Sequence, residues 1–238
     1  MPLRRGFVLS CFLGIVVSSS PVSGMVQTLA YYRFGEDDPG ASAGDPGLVN
    51  TTDSAGSLSL TLSSGGSSTY SSAVASTASS QAGSTLGMIL TGTTYYSRPD
   101  VVTTITDNFG IEGWFRPSVL PAGGPGGGGQ ALVYNGNTGL NGFGLYIFGD
   151  EFYGLYGGSV FLPSGRTASV GVWSYFALVR AGGITSLYID GTTPIPAGTA
   201  SPSPASTGFF AGARGVGESF GGAMDEVRVF AFDPGQFV

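Results

Sequence analysis

The sequence predicts an all-β protein, built as one large antiparallel sandwich, and three observations carry that prediction. The run from Val172 to Phe232 breaks into short apolar blocks, each closed by Gly, Asp or Pro. That is the pattern of consecutive antiparallel strands joined by tight turns. The chain holds 42 Gly among many Ser and Thr, a composition suited to turn-rich β structure. No stretch of ten or more residues carries the 3.6-residue apolar period of an amphipathic helix.

Residues 1–24 read as an export signal. Arg4 and Arg5 form a positive start, Phe7 to Val17 an apolar centre, and Ser18 to Gly24 a small, polar end, with the mature chain beginning near Met25. The apolar centre is too short to cross a bilayer, which takes about 20 residues. Arg4-Arg5 loosely fits a twin-arginine signal, and Cys11 sits too early in the apolar stretch for a lipoprotein site. The protein is therefore expected outside the cytoplasm: secreted, periplasmic or at the cell surface.

From Met25 onward the strands can be taken in order. Ala30 to Phe34 is a first strand, running into an acidic Gly/Pro loop with Glu36, Asp37, Asp38 and Asp45. Ser57 to Leu62 alternates strictly and reads as a half-buried strand. Residues 63–84 are a Ser/Gly-rich stretch with two readings: a disordered linker, or an exposed loop with a weak strand over Tyr70 to Ala75. Val101 to Thr106 is β-branched and strand-like, and Phe109 to Arg116 is a strand stopped by Pro117. Gly123 to Gly129 lacks the Lys-Ser/Thr ending of a phosphate loop and reads as a flexible hairpin tip. Gln130 to Tyr134, Gly142 to Phe148 and Phe152 to Tyr156 follow, separated by Asn-Gly and Gly-Asp turns, with Asp150-Glu151 at a hairpin turn. Asp190-Gly191 closes another hairpin, and Pro194 to Pro204 is a loop. Residues 25–238 thus form a single domain.

The missing side chains exclude much chemistry. Beyond residue 24 there is no Cys, His or Lys, hence no disulfide, Ser-His-Asp triad, thiol nucleophile, Schiff base or histidine-bound zinc. Seven Arg face fifteen acids, a net charge of −8 for the mature chain, which disfavours nucleic acid and anionic membranes. Hard cations held by oxygen ligands remain open.

Two sets of residues stand out. Glu112, Trp114 and Arg116 share one face of their strand, opposite Phe109, Ile111 and Phe115. An aromatic plane beside a carboxylate and a guanidinium suits a sugar. The same set also reads as a solvated sheet face, with Arg116 covering Trp114 and Glu112 paired to it. In the strand Met224 to Phe230, alternation places Asp225 with Val227 and Val229 on the core side, and Glu226 and Arg228 on the other, able to pair. A buried Asp225 needs partners, either backbone N–H groups or Ca2+. Tyr146, Tyr153, Tyr156 and Tyr188 read as core or sheet-face aromatics.

Four segments resemble the concanavalin A-like lectin/glucanase superfamily, in particular the laminin-G-like jelly rolls of exported bacterial proteins. They are Phe109 to Pro117, Trp173 to Val179, Ser186 to Gly191 and Gly221 to Phe230, whose Asp-Glu-Val-Arg-Val-Phe ending is the most specific. The resemblance is good over 109–232 and thinner over 30–60. It implies two antiparallel sheets of six or seven strands, used for binding sugar or protein and in some branches for cleaving glycans. It also implies a structural Ca2+ joining the early acidic loop to the last strand, here through Asp225 with Glu36 or Asp53. Family members usually carry His where this chain has Tyr175.

The glucanase branch carries its carboxylates on one strand as Glu-x-Asp-x-x-Glu, a pattern this chain lacks. The expected function is a non-catalytic binding or adhesion domain for a glycan or an extracellular protein surface. Two alternatives are a glycan-cleaving enzyme using a pair such as Glu112 and Glu226, and a structural surface protein without a small ligand.

Overall fold

The computed structural model describes residues 25–236, apart from positions 64, 159, 193 and 215–216. The export signal expected over residues 1–24 lies outside the described residues.

In chain order the first strands are β1 (Val26–Tyr32), β2 (Asn50–Thr51), β3 (Leu60–Ser63) and β4 (Ser68–Ser71). A short helix α1 (Ser76–Ala82) follows, then β5 (Gly87–Leu90), β6 (Tyr95–Arg98), β7 (Phe109–Pro117) and β8 (Gln130–Asn137). Next come β9 (Asn141–Phe148), β10 (Glu151–Tyr156), β11 (Val160–Thr167) and β12 (Ser174–Ala181). The last are β13 (Ile184–Ile189), β14 (Ile195–Gly198), β15 (Phe209–Ala211) and β16 (Gly222–Phe232).

These strands make two antiparallel sheets, the jelly-roll sandwich expected. The first runs β14-β13-β12-β7-β16-β5-β4, with β1 also paired to β16, and the second β11-β10-β9-β8-β15-β6-β3-β2. Each has eight strands rather than six or seven, because short edge pieces such as β2 and β14 add to the central set. Between the sheets lies one apolar core, where Phe109 of β7 stacks on Phe143 of β9 at 4.0 Å and Phe152 of β10 meets Phe176 of β12 at 5.1 Å. Burying each such ring contributes roughly 1.5–3 kcal/mol.

Four expectations are corrected, the first being the loop expected over Pro194 to Pro204, which contains β14. Val101 to Thr106 forms no strand. The buried Asn135 side chain takes the place of a ladder there: its Oδ1 accepts the Val102 N–H and its Nδ2 donates to the Thr103 carbonyl, both at 2.8 Å. Gly123 to Gly129 is not a hairpin tip, since β7 and β8 belong to different sheets and the loop crosses between them. In the Ser/Gly-rich stretch the weak strand expected over Tyr70 to Ala75 gives way to β4, which starts earlier and ends at Ser71, and α1 follows where no element was expected.

β16 organises the first sheet. Along one side it pairs with β7; along the other its first residues pair with β5 and its last with β1. The change of neighbour falls at a β-bulge: register slips between Asp225 and Arg228, and Glu226 takes φ 51°, a conformation L-residues seldom adopt.

Candidate functional site

The bulge reverses the expected direction of Asp225. Met224 enters the core, and after one extra residue so do Val227 and Val229. Asp225 therefore lies opposite Trp114, and Arg228 opposite Glu112, on the outer face of the sheet. Glu226 and Arg228 do not pair with each other. Arg228 binds Glu112, with Nε at 2.7 Å and Nη2 at 2.6 Å from the same oxygen, while Arg33 Nε reaches Glu226 at 3.2 Å.

Over that outer face lies α1, and between helix and sheet is a cleft of about 880 Å3. Trp114 and Tyr175 line it with ring centroids 5.6 Å apart, and Glu112, Arg228 and Glu226 line it beside them. Trp173, Asp190 and Gly191 form one rim; Thr77, Gln81 and Ala82 of the helix form the other. Tyr175 donates its hydroxyl to the second oxygen of Glu112 at 2.6 Å. Burial, reinforced by that carboxylate, pushes the Tyr175 phenol well above its ordinary range.

A seven-residue helix has no independent stability in water, and α1 lacks a side-chain cap at its start. Tertiary bonds hold it instead. Trp173 Nε1 donates to the Ala73 carbonyl at 3.0 Å, and Arg33 Nη2 to the Ala82 carbonyl at 2.9 Å. Just past the helix, Ser84 Oγ donates to Asp225 Oδ2 at 2.5 Å, and Glu36 accepts the N–H groups of Thr85 and Leu86.

Glu36, Asp225 and Glu226 each bring a carboxylate oxygen within 4.8 Å of the others. Asp225 is fully buried and Glu226 nearly so. Burial foremost, opposed by the Ser84 hydrogen bond and aided by the charge of Glu36, pushes the Asp225 carboxyl up to about 8; burial pushes Glu226 up to about 7. One oxygen each of Glu36 and Glu226 is buried without a hydrogen-bond partner. An all-oxygen donor set of clustered carboxylates with spare lone pairs fits a hard divalent cation such as Ca2+.

Of the metal ligands expected from the sequence, Asp225 and Glu36 come together and Asp53 does not join them. Asp53 is buried, and its oxygens accept the N–H groups of Tyr31, Ala55 and Leu58, so it organises a turn. Of the sugar-binding set, Glu112 and Trp114 line the cleft, but Arg116 lies over the Trp173 ring at 5.1 Å rather than over Trp114. Glu112 pairs with Arg228, not with Arg116. Tyr175, Arg228 and Asp190 were missed as site residues. Their signal was present in the outward register of β12 and β16 and in the Asp-Gly turn after β13.

Two antiparallel sheets packed over one apolar core define a jelly-roll sandwich. The family model for the concanavalin A-like lectin/glucanases superfamily matches residues 90–232, and the chain belongs to that superfamily. Among solved structures, it is similar to domain 4 of AbnA, a GH43 extracellular arabinanase from Geobacillus stearothermophilus, in complex with arabinotriose. That match has 18% identity and a TM-score of 0.64, and covers 89% of this chain and 96% of that one. The binding domain of Paraclostridial Mosquitocidal Protein 1 follows at 12% identity and TM-score 0.58, over 86% and 49% of the two chains. Trypanosoma rangeli sialidase matches at 14% and 0.52, covering 84% of this chain and only 30% of the sialidase. Identities this low show a shared fold. No curated protein matches the sequence.

Proposed function

We propose that this chain is an exported, non-catalytic glycan-binding domain whose saccharide lies in the cleft between α1 and the outer face of the first sheet. One observation carries the reading: both tryptophans of the chain, with Tyr175, converge on a single cleft edged by hydroxyl, amide and carboxylate groups. Aromatic faces accept the apolar face of a sugar ring while polar edges take its hydroxyls. The arabinanase domain, seen with arabinotriose, supports the ligand class. The export signal expected over residues 1–24 supports a place outside the cytoplasm.

The non-catalytic reading rests on how the carboxylates are committed. Both oxygens of Glu112 are occupied, by Arg228 and Tyr175, and one oxygen of Glu226 is held by Arg33. A second reading, glycan cleavage, is favoured by Glu112 and Glu226 lining the same cleft. It predicts release of reducing ends from a polysaccharide panel, abolished by Glu112→Gln; the binding reading predicts no turnover.

A structural Ca2+ belongs to the same reading, held by Glu36, Asp225 and Glu226. The ion would take the place of the protons that Asp225 and Glu226 hold in its absence and would tie the acidic loop to β16. Calorimetric titration with oligosaccharides tests the function: saturable binding lost in Trp114→Ala supports it, and no binding across neutral and acidic panels sinks it.

A further inference from the structure

Resting on the glycan reading of the cleft, we infer that its ligand is a neutral saccharide and that the site discriminates against sugars bearing a carboxylate. The inference comes from the fixed charges around the cleft. Outside the acidic cluster two carboxylates line it, Glu112 and Asp190, against one cation, Arg228, and because Arg228 pairs with Glu112 the charge left over is that of Asp190.

That cation is already committed. Two of its nitrogens sit within 2.7 Å of Glu112, and its guanidinium lies 4.9 Å from the centre of the Phe230 ring. A sugar carboxylate would meet Arg228 only beside Glu112, whose charge already offsets that of the guanidinium. The other nearby guanidiniums are also turned away. Arg33 is bound to Glu226 and the Ala82 carbonyl, and Arg116 lies over Trp173.

Asp190 sharpens the discrimination. It is exposed at the rim in the Asp-Gly turn after β13, and only its Oδ1 is used, accepting the Tyr175 N–H at 2.7 Å. The second oxygen is open to accept a sugar hydroxyl and repels a sugar carboxylate. Exposed Gln81 and Thr77 on the helix side add neutral donors and acceptors. Asp190 lies outside the Glu36–Asp225–Glu226 cluster, so its charge at the rim is the same with or without a cation there.

The test is calorimetric titration of the full chain with two panels of equal length. One is neutral, made of arabino-, xylo- and gluco-oligosaccharides. The other is acidic, made of oligogalacturonates and sialylated oligosaccharides. The expected result is saturable binding of a neutral oligosaccharide and, for acidic ones, binding weaker by about tenfold or more at low salt. That gap narrows with added salt and in Asp190→Asn, which keeps the turn geometry and the acceptor oxygen. Acidic oligosaccharides binding as tightly as neutral ones overturn the charge argument while leaving the glycan reading intact. Silence from both panels overturns the glycan reading and this inference with it.

Discussion

Glu112 and Arg228 face each other across the β7–β16 ladder, and one Glu112 oxygen takes both Nε and Nη2 of the guanidinium. The other oxygen takes the Tyr175 hydroxyl, so three neighbouring strands are fastened on the surface that lines the cleft. Arg228→Ala would leave Glu112 without its cation and is expected to lower stability by about 1–2 kcal/mol, discounted for its partial exposure. Urea unfolding checks this, and Arg228→Lys should restore only part of the loss because lysine has no planar fork.

Trp114→Ala removes an aromatic wall of the cleft but no core side chain. Saccharide affinity should fall by about tenfold or more, roughly 1.4 kcal/mol of binding free energy. Far-ultraviolet circular dichroism should be unchanged. Loss of binding with intact structure separates a ligand contact from a folding defect.

The acidic cluster gives a pH prediction with a definite sign. Asp225 and Glu226 are held protonated in the metal-free fold, up to about 8 and about 7, above their values in an unfolded chain. A fold that keeps protons the unfolded chain has released becomes less stable as pH rises. Without metal, the melting temperature should fall between about pH 4 and pH 8. Saturating Ca2+ at pH 7.5 should raise it by several degrees and flatten that fall, because the bound ion favours the ionised carboxylates. A melting temperature at pH 7.5 identical in Ca2+ and in excess chelator removes the metal from the account.

The same cluster holds the helix that roofs the cleft. Ser84 hangs from Asp225, Glu36 caps Thr85 and Leu86, and Arg33 links Glu226 to the Ala82 carbonyl. Fixing the cluster with Ca2+ should slow amide hydrogen exchange across residues 76–86 more than across the core strands. Ser84→Ala should speed exchange in that segment while leaving β7 and β12 unaffected.

Much of this fold was legible in the sequence because period-2 alternation and Gly, Asp and Pro turns report strands directly. Glu112 and Trp114 were readable as a shared outward face for that reason. Arg116 was readable only as far as its face, since its partner Trp173 lies just before β12, the strand paired with β7. The direction of Asp225 was hidden. A glutamate at φ 51° looks like any strand residue in sequence, yet the bulge it makes turns Asp225 from the core to the outer face. Likewise α1 sits in a Ser/Ala stretch with no amphipathic signal, because bonds to Glu36, Arg33, Trp173 and Asp225 hold it from far along the chain. Long-range partners of this kind leave no local periodicity to read.

The chain has two tryptophans, and Trp114 and Trp173 both line the cleft. Intrinsic tryptophan fluorescence during a titration with neutral oligosaccharides therefore reports on the cleft without background from elsewhere. The account predicts a saturable shift in emission with the midpoint found by calorimetry, and its loss in Trp114→Ala. Calorimetric binding that leaves the emission of both tryptophans unchanged would place the ligand elsewhere and contradict the assignment of the cleft.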